Sequence, residues 1–172
     1  RPRVRVIAQI TGGGQERGLR SGTVPAPLTV GFGACCAIAA AELPKEAERL
    51  LQLRSRFLDR IKRALNDIHL HGDLEQRIPG NLNLSFANID AQDLMMRLSR
   101  VSVSTGSACS TATVQASHVL QSLGVEQRLL HNAIRIGFGR FTTVAEVDFA
   151  VDEIARAVIS LRQSTQVYES VV

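Results

Sequence analysis

The chain has 172 residues, enough for one domain or for one domain and part of another. Its 45% hydrophobic and 21% charged residues are an ordinary globular composition. The formal net charge of +4 comes almost wholly from arginine, Lys45 and Lys62 being the only lysines. No block of five or six basic residues occurs, aromatics make up only 4% and Trp is absent, so direct nucleic-acid binding is not expected.

The opening segment "RPRVRVIAQI" alternates Arg and Val, and Arg3 to Ile10 reads as a strand. It starts without a cap or a secretory leader, so the chain is expected to be a fragment. "TGGGQERG" (11–18) is a glycine-rich loop, and "LRSGTVPAP" follows, with Thr23 as a helix cap. Val24 to Ala40 is mostly apolar but holds two prolines, two glycines and many alanines, which predicts a buried helix and not a membrane span. Pro44 is expected to end that helix near Glu42 and to open another from Lys45 to Leu65. Leu50, Leu53, Phe57, Ile61 and Leu65 form one face of this second helix.

His69 to His71 predicts a short strand ending in a turn. "GNLNLSF" alternates Leu82, Leu84 and Phe86 with polar partners, the mark of a half-buried strand. Asp90 is an N-cap for a short helix, and "VSVS" (101–104) reads as an edge strand. Ser117 to Leu123 is a short helix closed by Gly124. "NAIRIGFGR" sets Ile134, Ile136 and Phe138 on one face and Arg135 on the other. Thr143 caps a last helix to about Gln163, with Glu146 in the capping-box position. The half after Pro44 therefore predicts an α/β sandwich with one sheet face covered by helices.

Of the three cysteines, Cys35 and Cys36 are adjacent and Cys109 stands alone. That is neither a disulfide framework nor a CxxC zinc site, and a reducing cytoplasm fits it. Adjacent helical cysteines lie about 100° apart, so at least one is expected to face the core. Cys109 sits in "STGSACSTA" (104–112), a run of small and hydroxyl residues without a large apolar side chain. Two readings stay open for it: a nucleophile on a mobile loop, or an incidental small residue. "TGGGQERG" matches neither common nucleotide fingerprint, and a tight turn is preferred to a phosphate cradle. "RSGT" before a helix is a better anion site, with Thr23 supplying a hydroxyl. Arg135, in an otherwise apolar strand, calls for an anion, either a protein acid or a ligand carboxylate. The four histidines show no metal-ligand spacing.

"GGGQERGLRSGT", "GDLEQRIPGNLNLSF", "STGSACSTA" and "AIRIGFGRFTT", in this order, resemble the second half of cysteine desulfurases of the NifS/IscS class, within the class V aminotransferases. The resemblance runs from about Arg1 to Arg162. It implies the C-terminal portion of a homodimeric, pyridoxal 5'-phosphate (PLP)-dependent enzyme of the aspartate-aminotransferase fold type. Residues 1–43 would be the tail of the large PLP-binding domain. Residues 44–172 would be the small domain, with its cysteine loop at about 104–113. The implied reaction turns L-cysteine into L-alanine and leaves sulfur as a persulfide on Cys109. Arg135 would hold the substrate carboxylate, and Thr23 would reach the cofactor phosphate of the neighbouring subunit. The sulfur would pass to an iron–sulfur scaffold protein or to a tRNA-thiolation acceptor. The family's Schiff-base lysine has a Ser-x-His-Lys setting, and neither Lys45 nor Lys62 has it. The chain alone is therefore expected to be inactive and, with apolar surface left bare, to self-associate. Two other classes stand beside this reading: a non-enzymatic persulfide carrier using Cys109, and a nucleotide-binding domain built on the glycine loop.

Overall fold

The computed structural model describes residues 4–105 and 117–169. The chain divides into two compact units, Arg1–Leu43 and Pro44–Val172.

In the first unit, residues 4–14 form no regular element. The strand expected over Arg3–Ile10 is thus corrected. Its alternation is strand-like, but a strand needs a hydrogen-bonded partner, and the sheet formed by the described residues does not include it. Gln15–Gly18 make a single 3-10 turn in which Glu16 and Arg17 adopt left-handed backbone angles. Ser21 fastens this loop: its N–H donates to the Ile10 carbonyl at 3.0 Å and its hydroxyl to the Gly13 carbonyl at 2.7 Å. Helix α1 (Ala26–Ala64) starts after Pro25, so Thr23 lies in the turn ahead of it and not at the cap.

No described residue before Pro44 is buried. Cys35 and Cys36 are both exposed, against the expectation that one faces a core. The reason is that the described residues of this unit form no second layer for the helix to pack on. Leu28, Val30 and Phe32 are each more than two-thirds exposed. Among the described residues α1 is the one helix long and apolar enough to cross a membrane, and that window is exposed where the sequence predicted burial. Pro44 does not separate two helices; α1 runs through it. Proline forfeits one helical hydrogen bond, at about 3 kcal/mol in a helix interior. Strong helix formers on either side, "AAAEL" and "KEAERLL", keep the helix going.

The second unit holds the core. Its sheet has the order β1-β2-β4-β3, antiparallel throughout: β1 (Ile68–Leu70), β2 (Asn81–Phe86), β3 (Ser104–Thr105) and β4 (Ala133–Gly137). One face presents Leu82, Leu84, Phe86, Ile134 and Ile136 to Leu53, Phe57 and Ile61 of α1 and to Val147, Val151, Ile154 and Val158 of α5 (Val144–Glu169). Phe57 is fully buried and meets Phe138 edge-on, ring centroids 5.6 Å apart. Helix α2 (Ala91–Arg97) closes the same core with Leu94, and Asp90 caps it by accepting from the N–H of Gln92 at 2.7 Å. The capping box at α5 is formed as expected: Thr143 N–H donates to Glu146 at 2.8 Å, and Glu146 N–H donates back to Thr143 Oγ1 at 3.2 Å. Two short helices escape the single-face description. These are α3 (His118–Ser122) and α4 (Gln127–Leu130), which bring Leu120 and Leu130 together with Ala133, a residue of the other sheet face.

Outside the core, α1 and α5 are tied by charge. Arg56 grips Asp148 through two bonds of 2.6 and 2.7 Å, and Arg60 reaches Asp148 at 2.7 Å and Asp152 at 3.0 Å. The Arg56 guanidinium, with Arg60 adding, holds the Asp148 carboxyl down from 3.8 to about 2. A carboxyl with a lowered folded-state pKa stabilises the fold above its ordinary value and loses that contribution as pH falls through the lowered one. The stability gap between the wild type and Asp148→Asn, followed by urea unfolding, is therefore expected to be widest above about pH 4 and gone below about pH 2. A gap that does not change with pH would contradict the assignment.

Candidate functional site

Alternation in β2 and β4 places a second set of side chains on the sheet face opposite the core: Asn81, Asn83 and Ser85 on β2, and Ala133 and Arg135 on β4. The register lines up three of the polar residues. Asn83 is the Cα partner of Arg135 across β2–β4, and Ser104 is the partner of Arg135 across β3–β4. Asn83, Arg135 and Ser104 thus form one polar row across three strands. A cavity of about 460 Å³ opens on this face, lined among others by His71, Arg77, Asn81, Asn83, Ser117 and Arg135.

The walls are held by a local network. His71 is buried, and its Nε2 lies 2.6 Å from Ser85 Oγ. The Ser85 hydroxyl donates its one proton to the Leu129 carbonyl at 2.9 Å. The His71 Nε2 must then be the donor, which fixes the neutral tautomer with the proton on Nε2. Burial chiefly, with the charges of His69 and Arg77 adding, pushes the His71 pKa down, in keeping with a neutral ring. Arg77 donates to the carbonyls of Asp73 and His71. Gly72, at φ +77°, makes the turn that lets it: a Cβ there would sit 3.0 Å from Arg77 Nη2. Arg54, itself buried, pins the same segment by donating to the Leu74 carbonyl at 2.9 Å.

Arg135 differs from these arginines. It is exposed on the strand, and no acidic side chain pairs with it among the described residues. Of the two partners the sequence leaves open, the protein acid is not found among the described residues. Two buried polar atoms near it also lack partners: Arg77 Nη1 and Asn83 Oδ1. Two guanidinium groups facing one cavity favour an anionic occupant.

Two further site residues are expected from the sequence. Thr23 belongs to the first unit, where it is exposed. Cys109 lies outside the described residues. The described residues stop at Thr105 on β3 and resume at Ser117, a lining residue of the cavity. The glycine loop keeps its preferred reading as a turn. Gln15 fills the space beside Gly13, where an added Cβ would meet Oε1 at 2.5 Å, and Gln15 Oε1 accepts from Gly22 N–H at 3.2 Å. The sequence alone gives Asn83 and Ser104 no part in this row. The signal was present in "NLNLSF", whose outward positions carry Asn and Ser and no charge, but only the pairing register joins them to Arg135. A larger cavity, about 570 Å³, lies between residues 100–103, the end of β4 and α5. Its lining includes Val103, Phe138 and Phe149 but not Arg135.

Residues 3–149, which include the antiparallel sheet and the arginine on its polar face, match the family model Aminotransferase class-V, and the chain belongs to that family. It is 46% identical over 169 residues to the "Cysteine desulfurase IscS" of Rickettsia conorii, covering 98% of this chain and 41% of that protein. It is 46% identical over 171 residues to a "Cysteine desulfurase" of Pongo abelii, covering 99% and 37%. A solved "NIFS-LIKE PROTEIN" superposes with a TM-score of 0.77 at 35% identity, over 91% of this chain and 40% of that one. DndA from Streptomyces lividans does so with a TM-score of 0.56 at 32% identity, over 76% and 36%. The resemblance to the NifS/IscS class read from the motifs is thereby shown along nearly the whole chain. The chain spans about two-fifths of the length of these relatives.

Proposed function

We propose that this chain supplies the substrate-carboxylate site and the sulfur-accepting cysteine of a cysteine desulfurase. The observation that carries the reading is Arg135: an arginine at the centre of a polar row, in a cavity wall, with no acid to neutralise it among the described residues. In the overall reaction L-cysteine and the Cys109 thiol give L-alanine and a Cys109 persulfide, so the atoms balance without an outside oxidant. The class V family is PLP-dependent, and PLP supplies the electron sink that lets the carbon–sulfur bond of cysteine break.

The residues of this chain do not complete a PLP site. Lys45 and Lys62 are exposed on α1, and neither lines the Arg135 cavity. What the chain offers is one exposed threonine hydroxyl, Thr23, ahead of a helix N-terminus, a fit for a phosphate contact. In this proposal the cofactor is anchored by other residues of a longer protein, and the 172 residues alone are inactive. Residues 1–43 are then the tail of a large PLP-binding domain, whose remainder covers the bare face of α1, and residues 44–172 are the small domain. The working enzyme is a cytoplasmic homodimer that passes sulfur to an iron–sulfur scaffold protein or another thiol acceptor.

The test is a Cys109→Ser variant of the full-length protein loaded with PLP and given L-cysteine. The wild type is expected to carry an extra sulfur on Cys109 by mass spectrometry and to form alanine over many turnovers. The variant is expected to lose the adduct and nearly all turnover. Undiminished alanine formation in the variant removes Cys109 from the reaction. An adduct on Cys109 that forms from a persulfide donor, with no alanine ever produced from L-cysteine, makes the chain a carrier instead.

A further inference from the structure

Asn83 and Arg135 are direct partners across the antiparallel β2–β4 pair, so their side chains rise from adjacent points on the same sheet face. Both line the cavity of about 460 Å³. The Asn83 backbone is committed: its carbonyl accepts from His71 N–H at 3.0 Å, and its strand pairs on both sides. Its side-chain oxygen is not; it is buried and accepts no hydrogen bond. A buried carbonyl oxygen without a donor is uncommon in a native fold and calls for an explanation.

Two guanidinium groups stand within the same lining. Arg77 is already held at Nε and Nη2 by the carbonyls of Asp73 and His71. Arg135 carries five N–H donors on the register neighbour of Asn83 and has no acid among the described residues. A carboxylate gripped by a guanidinium fork uses two parallel N–H groups and leaves three for the protein.

We propose that Asn83 is a positioning residue for Arg135: its side-chain oxygen accepts one of those remaining N–H groups when a carboxylate is bound, and so sets the plane of the fork. This rests on the reading of Arg135 as the carboxylate site. A neutral amide suits the task better than an acid. It orients the guanidinium without neutralising it, whereas an aspartate in the same place would itself occupy the fork and compete with the ligand. Holding the fork before binding reduces the ordering that the ligand must bring about, so the benefit falls on affinity.

The experiment compares Asn83→Ala, Asn83→Asp, Arg135→Lys, Arg135→Ala and the Asn83→Ala/Arg135→Lys double variant in the full-length, PLP-loaded protein. Steady-state kinetics with L-cysteine are read beside equilibrium binding of L-alanine by calorimetry, and urea midpoints check folding. Asn83→Ala is expected to raise KM and weaken L-alanine binding about five- to tenfold, with kcat within about twofold, the scale of one lost hydrogen bond. Asn83→Asp, nearly the same size as asparagine, is expected to do worse than alanine. In the Arg135→Lys background, Asn83→Ala is expected to add little.

A merely structural role predicts the reverse order, with the isosteric aspartate milder than alanine, and that order overturns the proposal. An unchanged KM in Asn83→Ala overturns it too, as does an effect that persists undiminished beside Arg135→Lys, which would make Arg77 the partner. If Arg135→Ala itself leaves KM and L-alanine binding unchanged, the carboxylate reading falls, and this proposal with it. If Arg135→Ala weakens both and the Asn83 variants do not, only the positioning role falls.

Discussion

On the proposed reading, Arg135→Ala in the full-length protein is expected to lower kcat/KM for L-cysteine by about 100- to 1,000-fold, a loss of about 3–4 kcal/mol of transition-state stabilisation. The size of the effect decides between two environments. An ion pair left in water contributes up to about 1 kcal/mol, so its loss would cost at most about fivefold. A charge-assisted, bidentate contact held away from water contributes several times that. Arg135 is exposed on its strand in this chain, so a loss on the larger scale requires that the rest of the protein close the cavity over the bound carboxylate. The assay is steady-state kinetics with L-cysteine, beside the same measurement for Arg135→Lys. Lysine keeps the charge but not the fork and should recover only part of the loss. A reduction below about fivefold for alanine would mean that the carboxylate is bound elsewhere or in water.

Phe57→Ala is expected to destabilise the 44–172 unit by about 3–5 kcal/mol. Phe57 has no exposed surface, and its ring fills the space between α1, the sheet and α5, meeting Phe138 edge-on. Alanine there leaves a cavity that a close-packed interior fills only in part. Against a typical domain stability of about 5–15 kcal/mol, this is a large share. Phe141 provides the contrast: at 87% exposed, its replacement by alanine should shift the transition little. Urea unfolding of both variants, with the slope compared to the wild type, measures the difference. A shift below about 1 kcal/mol for Phe57→Ala would show that the helices do not pack on the sheet as described.

The parts of this fold that are legible in its sequence are those decided by local chemistry. Leu82, Leu84 and Phe86, and then Ile134, Ile136 and Phe138, alternate because one sheet face lies in the main core while the other is covered only in part, where α3 and α4 meet it. Asp90 and the Thr143–Glu146 box start helices because bare N–H groups at a helix end need acceptors close by in sequence. What cannot be read locally is whatever depends on a distant partner. Arg3–Ile10 has the composition of a strand but no neighbour to pair with among the described residues, and Cys35 and Cys36 sit on a helix that nothing in their own unit covers. Pro44 illustrates a third case, in which the surrounding residues outweigh one residue's preference. The site divides in the same way. Arg135 is conspicuous because a charge interrupts an apolar strand, whereas Asn83 and Ser104 look like ordinary polar residues until the β2-β4-β3 order sets them on either side of it.

The place of β3 carries a consequence for sulfur delivery. It is an edge strand, and its last residue, Thr105, is anchored opposite Ile134. Cys109 lies four residues farther along the chain. A polypeptide advances by at most about 3.6 Å per residue, so the Cα of Cys109 stays within roughly 14 Å of that anchor in any conformation. Covalent bonds alone thus draw a sphere around one margin of the sheet. On the proposed reading, the sulfur extends past that sphere only by the cysteine side chain and its persulfide, so any protein that collects it must bring its own receiving thiol to the sphere's margin. On the same reading, acceptors of unrelated shape need share only a cysteine that projects far enough to meet it.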